Sequence, residues 1–239
     1  MKKYNTKKII IANWKMNPQN SEQAASLFKK IVLGVKKSRK SKVVVAPPFV
    51  FLPALQKIGG LDLAAQDVFW KDEGAYTGEI SPKMLKNVGV SYVIVGHSER
   101  REFLGETDEM INRKVKAALS AGLKTVLNFV KDELRSDLEG VSQRFAKNLI
   151  IAYEPLWAIG TGNAAEPDDI FEMATYIRRN IFDILGKKAA YETPILYGGS
   201  VDRKNAEAFL RARGVGGLLV GGASLLSKEF IDIVKSINV

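Results

Sequence analysis

Three side chains in this sequence have the types and surroundings that proton chemistry requires. His97 is the only histidine of the chain, so any imidazole chemistry must use it. It lies in Gly96-His97-Ser98-Glu99-Arg100-Arg101, between a short apolar run and the start of a helical pattern. A lone histidine is more often structural than catalytic, but one at a helix N-terminus feels the positive end of the dipole, which disfavours protonation. A neutral imidazole can donate a hydrogen bond to a carbonyl and keep stabilising that oxygen as it gains charge. Glu154 ends the run Leu149-Ile150-Ile151-Ala152-Tyr153 and is followed at once by Pro155. There it is either an exposed or arginine-paired carboxylate, or a general base whose basicity rises once water is excluded. Lys15, between Asn13 and Asn17, offers a fixed cation for an anionic substrate, and a salt bridge to Glu99 is compatible with that role.

Glycines accompany these groups. Gly160 and Gly162, Gly198 and Gly199 before Ser200, then Gly221 and Gly222, can bring backbone N–H groups close to a phosphate. Tight turns need glycine anyway, so the clusters gain weight only from their placement after the last three strands of the fold. The segment Pro155-Leu156-Trp157-Ala158-Ile159-Gly160-Thr161-Gly162 has a proline start, an apolar middle and glycines beyond, the composition of a lid.

The elements that must position these groups follow from apolar periodicity. Short runs recur at Ile9–Ala12, Val43–Ala46, Leu61–Ala65, Tyr92–Val95, Thr125–Val130, Leu149–Tyr153, Ile195–Tyr197 and Gly217–Val220. Nearly all read as apolar on both faces, as parallel strands buried between helices and an inner core do. Between them lie helical stripes: Leu27, Ile31 and Val35; Ile111, Val115, Ala118 and Leu119; Ile170, Met173, Ile177 and Ile181; Phe230, Ile233, Val234 and Ile237. Ser81–Asn87 is a short helix at best. Eight strand–helix units in 239 residues predict a (β/α)8 barrel forming a single domain over residues 1–239. A doubly wound open sheet would want a glycine-rich fingerprint after the first strand, where this chain has Asn13-Trp14-Lys15-Met16-Asn17.

Bulk properties narrow the function classes. The hydrophobic fraction of 46% with 26% charged residues is ordinary globular composition. No apolar run approaches the roughly 20 residues that span a bilayer, so no membrane partner is expected. The absence of cysteine excludes disulfides and thiolate chemistry and is compatible with a reducing cytoplasm, the expected location. A net charge of +10 would attract a phosphorylated metabolite or nucleic acid, or simply coat the surface. The densest basic run, Lys36-Lys37-Ser38-Arg39-Lys40-Ser41-Lys42, has no interleaved aromatics to stack bases. It reads as a solvated loop, and no nucleic-acid partner is expected.

Five motifs together resemble one family. Asn13-Trp14-Lys15-Met16-Asn17, Gly96-His97-Ser98-Glu99-Arg100-Arg101, Ala152-Tyr153-Glu154-Pro155 with Trp157-Ala158-Ile159-Gly160-Thr161-Gly162, Tyr197-Gly198-Gly199-Ser200-Val201 and Gly221-Gly222-Ala223-Ser224-Leu225 are similar to those of triosephosphate isomerases, in the same order and from end to end. The resemblance implies a TIM barrel without metal or cofactor that interconverts dihydroxyacetone phosphate and D-glyceraldehyde 3-phosphate through an enediol(ate). It makes Glu154 the base, neutral His97 the electrophile and Lys15 the stabiliser of developing charge, with Asn13 lining the pocket and Glu99 holding Lys15. This glutamate–histidine pairing is the family's own worked case and rests on the resemblance alone. Gly160, Ser200, Gly221 and Gly222 would hold the phosphate, and Trp157 would belong to the lid. The resemblance also implies a homodimer through the loop Gln66–Ser81, with Thr77 reaching the partner's Asn13 and Lys15. Intact Lys15, His97 and Glu154 argue against the alternative, a catalytically altered barrel kept as a phosphometabolite-binding or interaction protein.

The chain departs from the family pattern in three places. After strand five the family usually has Cys-Val-Gly-Glu, whereas here Asn128-Phe129-Val130-Lys131 stands. Lys131 cannot accept the hydrogen bond that the family's glutamate takes from the lid tryptophan. The connection from Lys131 to Asn148 is shorter than usual, and Gly214-Val215-Gly216-Gly217 lacks an acid often found there. These changes bear on lid dynamics and stability, not on the reaction.

Overall fold

The structure is a computed structural model that describes residues 7–129, 133–155 and 167–238. Eight parallel strands close in sequence order: β1 (Lys8–Asn13), β2 (Ser41–Ala46), β3 (Asp62–Ala65), β4 (Tyr92–Val95), β5 (Lys124–Phe129), β6 (Leu149–Tyr153), β7 (Ile195–Tyr197) and β8 (Gly217–Val220). β8 pairs back onto β1, Leu218 opposite Ile10, so no sheet edge remains open. Closure excludes the doubly wound sheet and bears out the barrel.

The strands form where apolar runs occur because both of their faces are covered. Inward side chains, among them Ile11, Val44, Ile94, Val126, Leu196 and Leu219, fill the barrel. Outward ones such as Ile10, Val45, Val93 and Leu127 pack against the helical layer. That layer comprises α1 (Ser21–Val35), α2 (Leu52–Ile58), α3 (Pro82–Val88), α4 (Ser98–Leu104), α5 (Asp108–Ser120), α6 (Leu134–Asp137), α7 (Pro167–Glu192), α8 (Ala206–Arg211) and α9 (Ser227–Lys235). α7 is two helical segments broken at Gly186, whose φ of 84° no helix accommodates. Side-chain caps fix several starts: Asn20 accepts from Gln23 N–H at 2.9 Å, and Thr107 from Met110 N–H at 3.3 Å.

Several boundaries differ from the sequence reading: β1 extends to Lys8 and Asn13, β3 starts at Asp62 and β5 at Lys124, with Val130 outside the described residues. The basic run is a loop only as far as Lys40; Ser41 and Lys42 belong to β2, and Lys42 pairs with Asp62 of β3 at 2.6 Å. The short helix near Ser81 starts one residue later, because Ser81 is its cap and accepts from Met84 N–H at 3.2 Å. Among the described residues, no helix is long and apolar enough to cross a membrane.

Candidate active site

β1 delivers Asn13, and the chain then bends through Lys15, whose φ of 53° lies in the left-handed region that a side chain ordinarily avoids. Local bonds hold that conformation. Asn13 Oδ1 accepts from Lys15 N–H at 3.1 Å, while Gln66 Nε2 donates to the carbonyls of Lys15 at 2.9 Å and Ala46 at 2.8 Å. The Lys15 ammonium is paired with Glu99 at 2.5 Å, so the salt bridge weighed in the sequence is present and fixes the cation at the barrel mouth.

His97 follows β4 and caps α4, accepting from Glu99 N–H through Nδ1 at 3.3 Å. A ring nitrogen that accepts carries no proton, so this bond places the imidazole's proton on Nε2. Nε2 lies 3.3 Å from Glu154 Oε1. Glu154 follows β6, is 3% exposed, and its other oxygen accepts from Ser98 Oγ at 2.9 Å. Gly198, directly after β7, permits this packing: a Cβ there would lie 2.8 Å from Glu154 Cγ. Beside it, burial is the main cause raising the Tyr153 phenol above its ordinary value, with Tyr197 and Asp169 adding to the shift.

These groups open into one cavity of about 280 Å³, bounded by Asn13, Lys15, His97, Glu154 and the turns after β7 and β8. Ser200, Gly221 and Gly222 also line it, and Gly221 is beside Lys15, where a Cβ would lie 3.4 Å from Lys15 Cε. Small residues there leave backbone N–H groups accessible to an anion, with the Lys15 cation next to them. Gly160 and Trp157, with Lys131 and the rest of the lid sequence after Pro155, lie outside the described residues. Thr77 is exposed on the loop 66–81 and does not line its own chain's cavity.

The sequence reading had Ser98 within the His97 motif and Gln66 as a loop boundary, but gave neither a role. Each is a small polar residue whose value lies in what it touches across the fold, and neither spacing nor composition records that. The glutamine directly after the apolar run of β3 was a signal of a kind, since it stands at a strand end where barrel chemistry gathers.

The fold and site define a class: a (β/α)8 barrel with a buried carboxylate–imidazole pair and a cation over a small glycine-lined anion pocket. Within that class, the family model for triosephosphate isomerase matches residues 8–237. The triosephosphate isomerase of Thermoanaerobacter pseudethanolicus (strain ATCC 33223 / 39E) is 44% identical over 245 residues, covering 95% of this chain and 98% of that protein. Those of Citrifermentans bemidjiense and Dehalococcoides mccartyi (strain CBDB1) are each 41% identical, covering 96% and 95% of this chain and 98% and 95% of their own lengths. The chain belongs to the triosephosphate isomerase family.

Proposed function

We propose that this chain interconverts dihydroxyacetone phosphate and D-glyceraldehyde 3-phosphate. The observation that carries the reading is the 3.3 Å approach of His97 Nε2 to Glu154 Oε1 inside a cavity that also holds Lys15 and the Gly221–Gly222 backbone. Glu154 takes the proton from the carbon beside the carbonyl and returns it to the neighbouring carbon. His97 donates its Nε2 hydrogen to the substrate oxygen on which charge builds, and the Lys15 ammonium stabilises the same enediolate. The phosphate sits against Ser200, Gly221 and Gly222, with Gly160 of the lid sequence as a further donor. Asn13 and Glu99 position Lys15, and Trp157 serves the lid.

Replacing Glu154 by Gln keeps the shape and removes the proton acceptor. In a coupled isomerase assay, Glu154→Gln is expected to lower turnover by on the order of 10³-fold, with competitive inhibition by inorganic phosphate largely kept. Near-normal turnover in that variant would refute the assignment.

The active form is proposed to be a homodimer formed through the loop 66–81. Residues 71–79 are exposed in one protomer, and Phe69 stacks on Trp70 and meets the Tyr76 ring at a tilt. Beside Lys15 lies an open groove bounded by Met16, Phe103 and Leu104; Met16 is 86% and Phe103 72% exposed. Apolar surface next to a projecting loop fits a two-fold contact in which each loop covers the other's groove, bringing Thr77 to the partner's Lys15. Sedimentation should show a dimer; a fully active monomer would remove this part of the reading. A cysteine-free, isomerase-type metabolic enzyme fits a cytoplasmic location.

A further inference from the structure

β5 lies between the strand that delivers His97 and the strand that delivers Glu154. Along it, Val126 faces the barrel interior while Leu127 and Phe129 pack outward, so alternation turns Asn128 inward. Asn128 is opposite Ala152 of β6, and its carbonyl is close enough to Gly96 that a Cβ there would approach it to 3.1 Å. Glu154 is the next inward position above Ala152, about 6.6 Å further along a strand about 4.8 Å away. On this register Asn128 lies one inward layer below Glu154, on the adjacent strand.

The carboxamide there is 1% exposed, and among the described residues neither its Nδ2 nor its Oδ1 has a hydrogen-bond partner. The interior layer below it is apolar: Val126, Ile150, Ala152 and Leu196. A buried amide with no partner lowers stability, whereas a leucine of similar volume would fill the same space without that cost. A group kept at a cost in one arrangement of a site is explained if it finds its partner in another. Glu154 provides such an arrangement. Its Oε2 is held by Ser98, and a carboxylate that turns toward the substrate's carbons gives up that O–H donor.

We infer that Asn128 is a positioning residue for the base: its Nδ2 donates to the Glu154 carboxylate once the latter leaves Ser98. The bond supports Glu154 from below and limits its rotation over the two carbons between which the proton moves. The inference rests on Glu154 being the base.

The test compares wild type, Asn128→Leu and Asn128→Cys by isomerase kinetics and thermal unfolding. Asn128→Leu should lower kcat about tenfold, with KM and inhibition by inorganic phosphate within about twofold, while Tm stays level or rises. Asn128→Cys, keeping a weak donor, should fall between the two in kcat. If the leucine variant does not fold, a cysteine variant with reduced kcat and unchanged KM carries the proposal, and one with wild-type kcat overturns it. Wild-type kcat in Asn128→Leu, or kcat and Tm falling together in both variants, would overturn it and leave Glu154's role standing. A wild-type chain without isomerase activity would overturn both readings.

Discussion

Arg100 and Arg101 are neighbours on α4, and each joins a different buried ion cluster. Arg100 meets Glu106 at 2.6 Å and Asp67 at 2.8 Å, and Lys114 meets the same two carboxylates at 2.5 and 2.7 Å. That cluster has two cations for two carboxylates. Around Arg101, three carboxylates converge among the described residues: Asp108 at 2.5 Å, Asp137 at 2.7 Å and Glu133 at 3.3 Å. Burial raises the pKa of both Asp67 and Asp137, but the neighbours then act differently. For Asp67 two cations oppose the shift and only Glu106 adds to it. For Asp137 one cation opposes it while Asp108 and Glu133 add to it, and the pKa is pushed up to about 7. Hydrogen bonding follows the same division: Lys114 donates to both oxygens of Asp67, which favours its ionised form, whereas Asp137 Oδ1 has no donor among the described residues. Similar burial thus leaves one carboxylate matched by two cations and the other outnumbering its single cation.

The larger test removes the balance of the first cluster. Lys114→Met keeps the length of the side chain and leaves Asp67 and Glu106, both nearly inaccessible, with Arg100 alone. Breaking a buried pair from one side costs about 3–5 kcal/mol, so urea unfolding should show a loss of that order. A loss below about 1 kcal/mol would mean that the cluster rearranges freely, and the contrast with Arg101 would fail. Asp67 directly follows Gln66, which braces Lys15, so the same variant is expected to weaken substrate binding as well.

The contrast also marks what could be read in the sequence. Tyr92–Val95 was legible to the residue because a strand covered on both faces must be apolar throughout, and the same logic found the other seven within a residue or two. His97, Glu154 and Lys15 were legible because strand ends of a barrel gather its chemistry. Ion clusters were not, since a charged residue in a sequence is by default solvated. Lys114 could have been flagged: it is three residues after Ile111 and next to Val115, inside a buried stripe, where a cation requires partners. Asp137 gave no such signal. It lies in the shortened connection after β5, and its complete burial follows from how that short segment folds back, with Asn112 Nδ2 donating to the carbonyls of Ser136, Asp137 and Glu139. Asn128 was visible as a departure from the family's pattern, but its unpaired amide was not.

The smaller and sharper test concerns Asp137. Its pKa in the folded protein, about 7, lies above the ordinary value of 3.8, so between those values the folded chain holds a proton that the unfolded chain has released. Stability from this group is therefore fully present below about pH 4 and is lost as pH rises through about 7, the reverse of a carboxylate stabilised in its charged form. Asp137→Asn keeps the shape, keeps an oxygen for Arg101 and cannot ionise. Its advantage over the wild type should be negligible near pH 4 and grow with pH to at most about 4 kcal/mol at pH 8, read from unfolding at a series of pH values. A variant less stable than wild type at pH 8 would show Asp137 to be a charged partner that Arg101 needs, making the two clusters alike. An advantage that grows with pH would instead establish that the short connection after β5 carries a carboxyl group kept protonated up to neutral pH, poised against the arginine whose Nε also donates to the Gly96 carbonyl beside His97 at 3.2 Å.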